Sequence, residues 1–381
     1  MNKKVFISRT AKFLPNKVVN NDTMEKILGM IGGKPSRVRP IILRQNRIKE
    51  RYYSVDEQGV IRFSNAELMA KAIEQLFDDK FSAQDMELLS CGTSTPDQML
   101  PSHTSMVHGL IEGAKPIPIL SPSGVCCSGI HAFQYCYLSI LSGISNNAVC
   151  GASELVSPLM LAKNFEKEYG TLSQIEHNPY IAFEKDFLRW MLSDGSGCML
   201  LSCNPLDEIS LEVNWIESVS FANELKSCMY QGAEKDENGD LRSWKTMTEE
   251  EWLSKSIFSV KQDVRQLGEY VVKKAVEHIK NSNEKHGLSF SEVKYFLPHI
   301  SSMFFYDLLM EGLKDAGIPC SPEKWFTNLS YVGNVGSASI YIMLDELFHS
   351  GKLVNGDKIY LFIPESGRFS YTTVLLTAVK A

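Results

Sequence analysis

Residues 120–143 read Leu120-Ser-Pro-Ser-Gly-Val-Cys-Cys-Ser-Gly-Ile-His-Ala-Phe-Gln-Tyr-Cys-Tyr-Leu-Ser-Ile-Leu-Ser-Gly143. An apolar run from Ile117 to Leu120 enters the stretch, small residues make a bend, and an amphipathic segment leaves it. Ile130, Phe133, Tyr137 and Leu141 recur at helical spacing, so the second half predicts a helix packed on a core. Cys127 then stands at a tight strand-to-helix turn, where Gly124, Ser128 and Gly129 leave room. Orphan N–H groups and the dipole at a helix start favour a thiolate. The position therefore predicts a lowered thiol pKa and backbone donors aimed at whatever the sulfur attacks. The plainer reading makes Cys126 and Cys127 two small buried core residues.

The chain has 381 residues, of which 44% are hydrophobic and 22% charged, enough for two domains or one large duplicated one. No apolar run approaches the roughly 20 residues that a membrane span needs. Met1-Asn-Lys-Lys-Val-Phe-Ile-Ser turns polar too soon for a secretory signal and reads as a first strand. Nine cysteines, an odd number without CxxC spacing, indicate neither a disulfide framework nor a metal site, and predict a protein of the reducing cytoplasm. The net charge of −6 argues against a protein that wraps nucleic acid.

Strand candidates at Lys4–Ser8, Leu88–Thr95 and Asn147–Ala152 alternate with helical patterns at Asp22–Leu28, Asn65–Phe77 and Pro101–Gly109, the last with proline in its first turn. Ser193-Asp-Gly-Ser-Gly feeds a further hydrophobic strand after an aromatic and charged excursion at 155–190. The alternation predicts an α/β fold with a mostly buried sheet. A seam falls at Pro205–Asp207, and Ile209–Val219 alternates as a strand. Residues 224–250 form a polar insertion, Phe258–Lys280 a long helix, and Tyr295–Leu297, Lys358–Ile363 and Thr372–Ala378 the closing strands. Ser193-Asp-Gly-Ser-Gly and Glu365-Ser-Gly-Arg-Phe each place a glycine turn before a final strand, which hints at duplication. Between Gly32 and Arg51, seven basic residues accompany only one acid, Glu50: a solvated loop, or a landing site for an acidic partner.

Two polar positions in the second half stand out. His299 ends the apolar strand Phe296-Leu-Pro-His, and Asn334 lies between Gly333 and Gly336 before a helical pattern, Ser337–Phe348. Either has a structural reading, a satisfied histidine or a turn asparagine. Cysteine with distant histidine and asparagine is also a pattern of nucleophilic acyl chemistry.

These residues resemble β-ketoacyl-acyl-carrier-protein synthase III and, more broadly, the thiolase-fold condensing enzymes, nearly end to end. Phe13-Leu-Pro-Asn resembles the family's "YLP" turn, Ile48-Lys-Glu-Arg its "IRER", and Thr93-Ser-Thr-Pro-Asp-Gln-Met-Leu-Pro-Ser its "TTS…FPS". Cys127-Ser-Gly resembles the nucleophile turn, Leu192-Ser-Asp-Gly-Ser-Gly the "FGDGAG" segment, and Pro298-His299 the "PH" signature. Gly333-Asn334 with Ser337-Ala-Ser resembles "GNTSAAS", and Glu365-Ser-Gly-Arg-Phe resembles "GGGF". The resemblance implies two similar halves, 1–207 and 208–381, in five αβαβα layers, and a homodimer. It implies Cys127 as the acylated nucleophile, His299 and Asn334 as its catalytic partners, and an oxyanion hole from the Cys127 and Gly367 N–H groups. Leu100, Phe304 and Phe369 are placed with substrate binding, and no cofactor is required. The reaction implied joins the acyl group on Cys127 to a malonyl thioester with decarboxylation.

The departures point to an altered substrate pair. The family's Gln and Asn after the histidine are replaced here by Ile300, Ser301 and Ser302, and Phe304 stands in place of a basic residue. The coenzyme A-stacking tryptophan corresponds to Ile41 and the arginine four residues later to Gln45. These losses favour an acyl-carrier protein over coenzyme A as donor, docked on Lys34, Arg37, Arg39, Arg44 and Arg47. Gly33-Lys-Pro-Ser-Arg-Val-Arg and Arg51-Tyr-Tyr resemble the branch that makes dialkylresorcinols and flexirubin or aryl-polyene pigments, where the partner is a β-ketoacyl thioester. The other readings are a non-catalytic chain-length subunit, which the retained Cys127 opposes, and an acyltransferase that never condenses.

Overall fold

The computed structural model describes residues 3–168 and 187–380. Its frame is nine strands: β1 (Phe6–Phe13), β2 (Leu89–Gly92), β3 (Ile119–Leu120), β4 (Asn147–Glu154), β5 (Gly195–Ser202), β6 (Ile209–Ser220), β7 (Val293–Pro298), β8 (Lys358–Glu365) and β9 (Ser370–Lys380). They lie in the order β7-β8-β9-β6-β1-β5-β4-β2-β3. From the seam where β1 meets β6 at Phe6–Glu212 and Ile7–Leu211, both arms repeat one pattern. In the first arm β1 pairs antiparallel with β5, β5 antiparallel with β4, and β4 and β3 run parallel to β2. In the second β6 pairs antiparallel with β9, β9 antiparallel with β8, and β8 runs parallel to β7. A parallel bridge between Phe296 and Trp325 stands where β3 stands in the first arm. The glycine-turn strands that echo in the sequence, β5 and β9, occupy equivalent places.

Seven helices matter to the site: α1 (Arg39–Asn46), α2 (Asn65–Glu74), α3 (His103–Leu110), α4 (Cys127–Ser142), α5 (Val264–His286), α6 (Phe304–Asp315) and α7 (Ser339–Phe348). Three apolar clusters arrange them in layers. Ala66, Met69 and Ile73 of α2 and Val107 of α3 pack on Leu89 and Val149 of the first arm. Leu267 and Ile279 of α5 and Leu309 of α6 pack on Phe296 and Tyr360 of the second. Between the arms, Ile130 and Phe133 of α4 and Tyr341 of α7 share one core with Leu201 and Ile363. The result is α2/α3, sheet, α4/α7, sheet, α5/α6: the αβαβα sandwich of a thiolase-like fold. A helix buried between two sheets must be apolar on more than one face, which is why α4 reads as small and apolar at its start and amphipathic only later.

Local chemistry sets the boundaries. Ser64 and Glu67 make a capping box that starts α2. Ser102, not Pro101, caps α3, because its side chain accepts the Ser105 N–H. The helix expected from Phe258 starts at Val264, after Asp263 accepts the Gln266 N–H. Phe258 packs instead with Trp244 and Trp252, so the 224–250 insertion is anchored through Trp244 to an aromatic cluster completed just beyond its end. Much of the 155–190 excursion lies outside the described residues. No helix among those described is long and apolar enough to cross a membrane.

Candidate active site

Cys127 is the first residue of α4, with Cys126 as N-cap. Two glycines bring the helix start against the sheets. A Cβ on Gly92, at the end of β2, would lie 2.4 Å from the Ser128 carbonyl carbon, and one on Gly129 would lie 2.6 Å from the Ser337 carbonyl oxygen. Neither position has space for a side chain, so α4 is set against β2 on one side and the α7 approach on the other.

The Cys127 side chain is fully buried. Its thiol faces two carbonyl oxygens of the second arm, Ile363 at 3.5 Å and Ser370 at 3.8 Å. Its N–H donates to Oε2 of Glu365 at 2.9 Å, and the Val125 N–H donates to the same oxygen at 3.0 Å. The lowered thiol pKa expected for a helix start is not found. Burial, and then the Glu365 carboxylate, push the Cys127 thiol well above its ordinary value. Desolvation and a neighbouring anion both oppose a thiolate, and together they overcome the helix dipole.

His299 follows β7 and is buried. Its N–H donates to the Phe362 carbonyl at 2.8 Å, one residue before the carbonyl that faces Cys127. The two residues therefore flank the C-terminal end of β8. Burial lowers the imidazole pKa to about 4, so it is neutral at pH 7. A small apolar cleft beside it is lined by Val271, Val272, Ile300, Phe305 and Phe362. Asn334 is held by its backbone: its N–H donates to the Met191 carbonyl and its carbonyl accepts from Ser193 N–H, while Oδ1 accepts the Gly336 N–H at 2.9 Å. Among the described residues no side-chain hydrogen bond joins Cys127, His299 and Asn334 to one another.

Two buried acids that the sequence reading assigned no role hold this region together. Glu154, the last residue of β4, accepts from Ser94 Oγ at 2.7 Å, Thr95 Oγ1 at 2.7 Å and Ser337 Oγ at 2.6 Å. It ties the Thr93–Thr95 loop of the first half to the Asn334 loop of the second. Asp194 accepts the Ser54 and Val156 N–H groups at 2.7 Å each, and burial raises its pKa to about 6. The signal available was an acid at the end of an apolar run, where a carboxylate must find internal donors.

The remaining candidates are scattered. Phe369 is buried, in the left-handed region at φ 58°, with its ring 5.9 Å from Tyr270. Leu100 is 85% exposed and Phe304 is exposed at the start of α6. The basic stretch is less open than its composition suggested. Arg51 is fully buried, Arg39 pairs with Glu25 at 2.9 Å, and Arg47 pairs with Asp307 at 3.3 Å. Lys34, Arg37 and Arg44 are exposed.

A duplicated αβαβα sandwich with a cysteine at the N-terminus of a central helix defines the thiolase-fold class. Residues 283–376 match the family described as 3-oxoacyl-[acyl-carrier-protein (ACP)] synthase III C terminal. The chain is 24% identical over 359 residues to β-ketoacyl-[acyl-carrier-protein] synthase III of Clostridium novyi, covering 94% of both. The same fold is seen in AbyA1, a tetronic acid condensing enzyme, with a TM-score of 0.74, 18% identity and coverage of 98% of this chain and 99% of that one. Synthase III of Aquifex aeolicus superposes with a TM-score of 0.65, 21% identity and coverage of 98% and 99%. OleA of Xanthomonas campestris, solved with lauric acid and lauroyl-CoA, gives 0.73, 18% and coverage of 99% and 100%. The chain has the thiolase-like fold and is similar over nearly its whole length to synthase III-type condensing enzymes.

Proposed function

We propose that this enzyme takes an acyl group from a thioester onto Cys127 and joins it to a second thioester. The observation that carries the reading is the placement of Cys127 at a helix start whose N–H groups already hold an anion. In the first step the sulfur attacks the thioester carbonyl, the carbon–sulfur bond to the donor breaks, and the donor leaves as a thiol with the proton Cys127 gives up. The Cys127 and Gly367 N–H groups are the donors assigned to the tetrahedral oxyanion. In the second step a malonyl thioester loses carbon dioxide, its enolate carbon attacks the acyl-cysteine, and the sulfur is released and reprotonated. His299, neutral at pH 7, and Asn334 are assigned the hydrogen bonds to the enolate oxygen.

The donor assigned is an acyl-carrier protein, and the exposed Lys34, Arg37 and Arg44 support an acidic partner docking there, with Arg39 and Arg47 committed in part to Glu25 and Asp307. Leu100, Phe304 and Phe369 are assigned to the acyl and carrier path, the halves to 1–207 and 208–381, and the assembly to a homodimer. All nine cysteines are free thiols, which suits a reducing cytoplasm. A second reading, condensation with a β-ketoacyl thioester as in dialkylresorcinol formation, is favoured by the segments Gly33-Lys-Pro-Ser-Arg-Val-Arg, Leu43-Arg-Gln-Asn and Arg51-Tyr-Tyr.

Intact-mass measurement tests both. The protein is incubated with fatty acyl-carrier protein and with acyl-coenzyme A, then with malonyl- or β-ketoacyl-carrier protein. An adduct on Cys127 that is discharged as a condensed product supports condensation, and the second substrate that discharges it decides between the two readings. No adduct from any donor overturns both.

A further inference from the structure

The condensation scheme leaves Glu365 without a role, yet its side chain crosses from the second half of the chain to the helix start of the first. Oε2 accepts the Cys127 N–H at 2.9 Å and the Val125 N–H at 3.0 Å. The carboxylate is buried and cradled between two glycines from opposite halves. A Cβ on Gly124 would lie 3.4 Å from Oε2, and one on Gly367 would lie 3.1 Å from Oε1. An anion on the first N–H of a sixteen-residue helix, and on the Val125 N–H just ahead of its cap, sits where orphan donors and dipole are strongest. The condensation reading needs the Cys127 N–H for the tetrahedral oxyanion, and one N–H cannot serve a carboxylate and an oxyanion fully at once. The next donor along cannot replace it, because the Ser128 N–H is taken by the Val125 carbonyl at 3.1 Å.

We propose that Glu365 is an internal stand-in for the oxyanion: at rest its carboxylate occupies the Cys127 N–H, it swings aside when a thioester enters, and until then its charge holds Cys127 as an unreactive thiol. The first two clauses rest on Cys127 being the acylated nucleophile; the third does not. The ionisable groups acting on the sulfur are Glu365 at the end of β8 and Cys126, the N-cap of its own helix, with Tyr371 of β9 also close enough to feel the sulfur's charge. Of these, Glu365 is the only carboxylate and the first of the charged groups acting on the sulfur, so its removal should change the thiol most. Glu365 is thus a positioning residue, a brake released by the correct substrate.

The test uses the full chain and Glu365→Gln, which keeps an oxygen for the two N–H groups and removes the charge. Alkylation of Cys127 by iodoacetamide is followed by peptide mass from about pH 6 to about pH 10. Loss of the neighbouring charge lowers the thiol pKa, so the profile should move about one unit toward acid and the rate at neutral pH should rise about tenfold. Glu365→Asp, which keeps a charge, should restore the slow profile. Superimposed profiles for the wild-type and Gln chains would overturn the proposal and leave Glu365 a brace for the turn. Should the Gln chain fail to fold, the acylated wild-type protein still decides. A structure with the acyl oxygen on the Cys127 N–H and Glu365 turned away supports the proposal, and one with the carboxylate unmoved overturns it. If no thioester acylates Cys127, the condensation reading fails, while the alkylation profile still tests the charge effect separately.

Discussion

Cys127 and Cys126 are adjacent, both buried and both small, and only the direction of their backbones distinguishes them. Cys127 opens the helix and offers its N–H to an anion, whereas Cys126 caps it and makes no such contact. Cys127→Ala should therefore abolish the acyl adduct in intact-mass measurements, while Cys126→Ala should retain it; the reverse would move the chemistry to the other sulfur. His299 makes a separate prediction. Because burial lowers its pKa to about 4, the imidazole is neutral near pH 7, and the proposed scheme uses its single remaining ring N–H as the donor. Any acid limb it contributes to the condensation rate should fall near pH 4, not near the 6.5 of an ordinary histidine. His299→Ala should lower condensation by about a hundredfold or more, the scale of one lost donor at a developing oxyanion, while Cys127 still acylates in single-turnover measurements. Cys127, His299 and Asn334 could be singled out as candidates because the motifs around them keep residue type and order along the chain. The state of the thiol was not legible, because it depends on Glu365, which lies 238 positions away along the chain.

The central helix shows how element placement follows from residues with no chemistry of their own. Helical periodicity revealed that α4 exists and where it begins, but its burial between two sheets follows from two close approaches, at Gly92 and Gly129, that no local pattern encodes. Gly92→Ala would set a methyl carbon 2.4 Å from the Ser128 carbonyl group. That overpacking is expected to cost about 3 kcal/mol and to lower the melting temperature of a chain this long by roughly four degrees. Thermal unfolding checks the stability, and loss of acylation in the folded fraction would show that the helix start has moved. Glu154 acts between elements in the same way. It accepts Ser94, Thr95 and Ser337 hydroxyls, all donors, so glutamine would present its NH2 to at least one of them. Glu154→Gln should destabilise by about 3 kcal/mol and slow condensation by loosening the loop that carries Asn334, measured by denaturant unfolding beside kcat. The strand repeat was faintly visible in the two glycine turns. The polar insertion was misjudged because Trp244, Trp252 and Phe258 meet only after the chain folds back.

At the scale of the molecule, the buried titrating groups set the acid response, and an exposed apolar surface is the candidate contact for the proposed dimer. His103, His278 and His299 are each lowered to about 4 by burial, so from about pH 6.5 downward the unfolded chain binds three protons that the folded chain refuses. Asp194, raised to about 6, binds one that the unfolded chain lacks. The difference near pH 5 is two protons, so these groups make stability fall by roughly 2.7 kcal/mol per unit as pH drops. Denaturant unfolding between about pH 7 and about pH 4 measures the slope, and His278→Gln, distant from the reaction, should reduce it by about half. Assembly turns on a different surface. Along residues 99–120, Met99 is 69% and Leu100 85% exposed, and Met106, Leu110, Ile119 and Leu120 are exposed beside them. The last two form β3, the outermost strand of the first arm among the described residues. Apolar side chains beside an outermost strand make a surface that water does not favour, and edge-to-edge pairing of two copies would cover both at once. Light scattering should give twice the chain mass. Leu100→Asp with Ile119→Lys should halve it without unfolding the chain, because both residues lie outside all four apolar clusters of the described residues. A variant that keeps the wild-type mass would move the dimer contact to another face, and a wild-type chain that is monomeric at micromolar concentration would remove the dimer altogether.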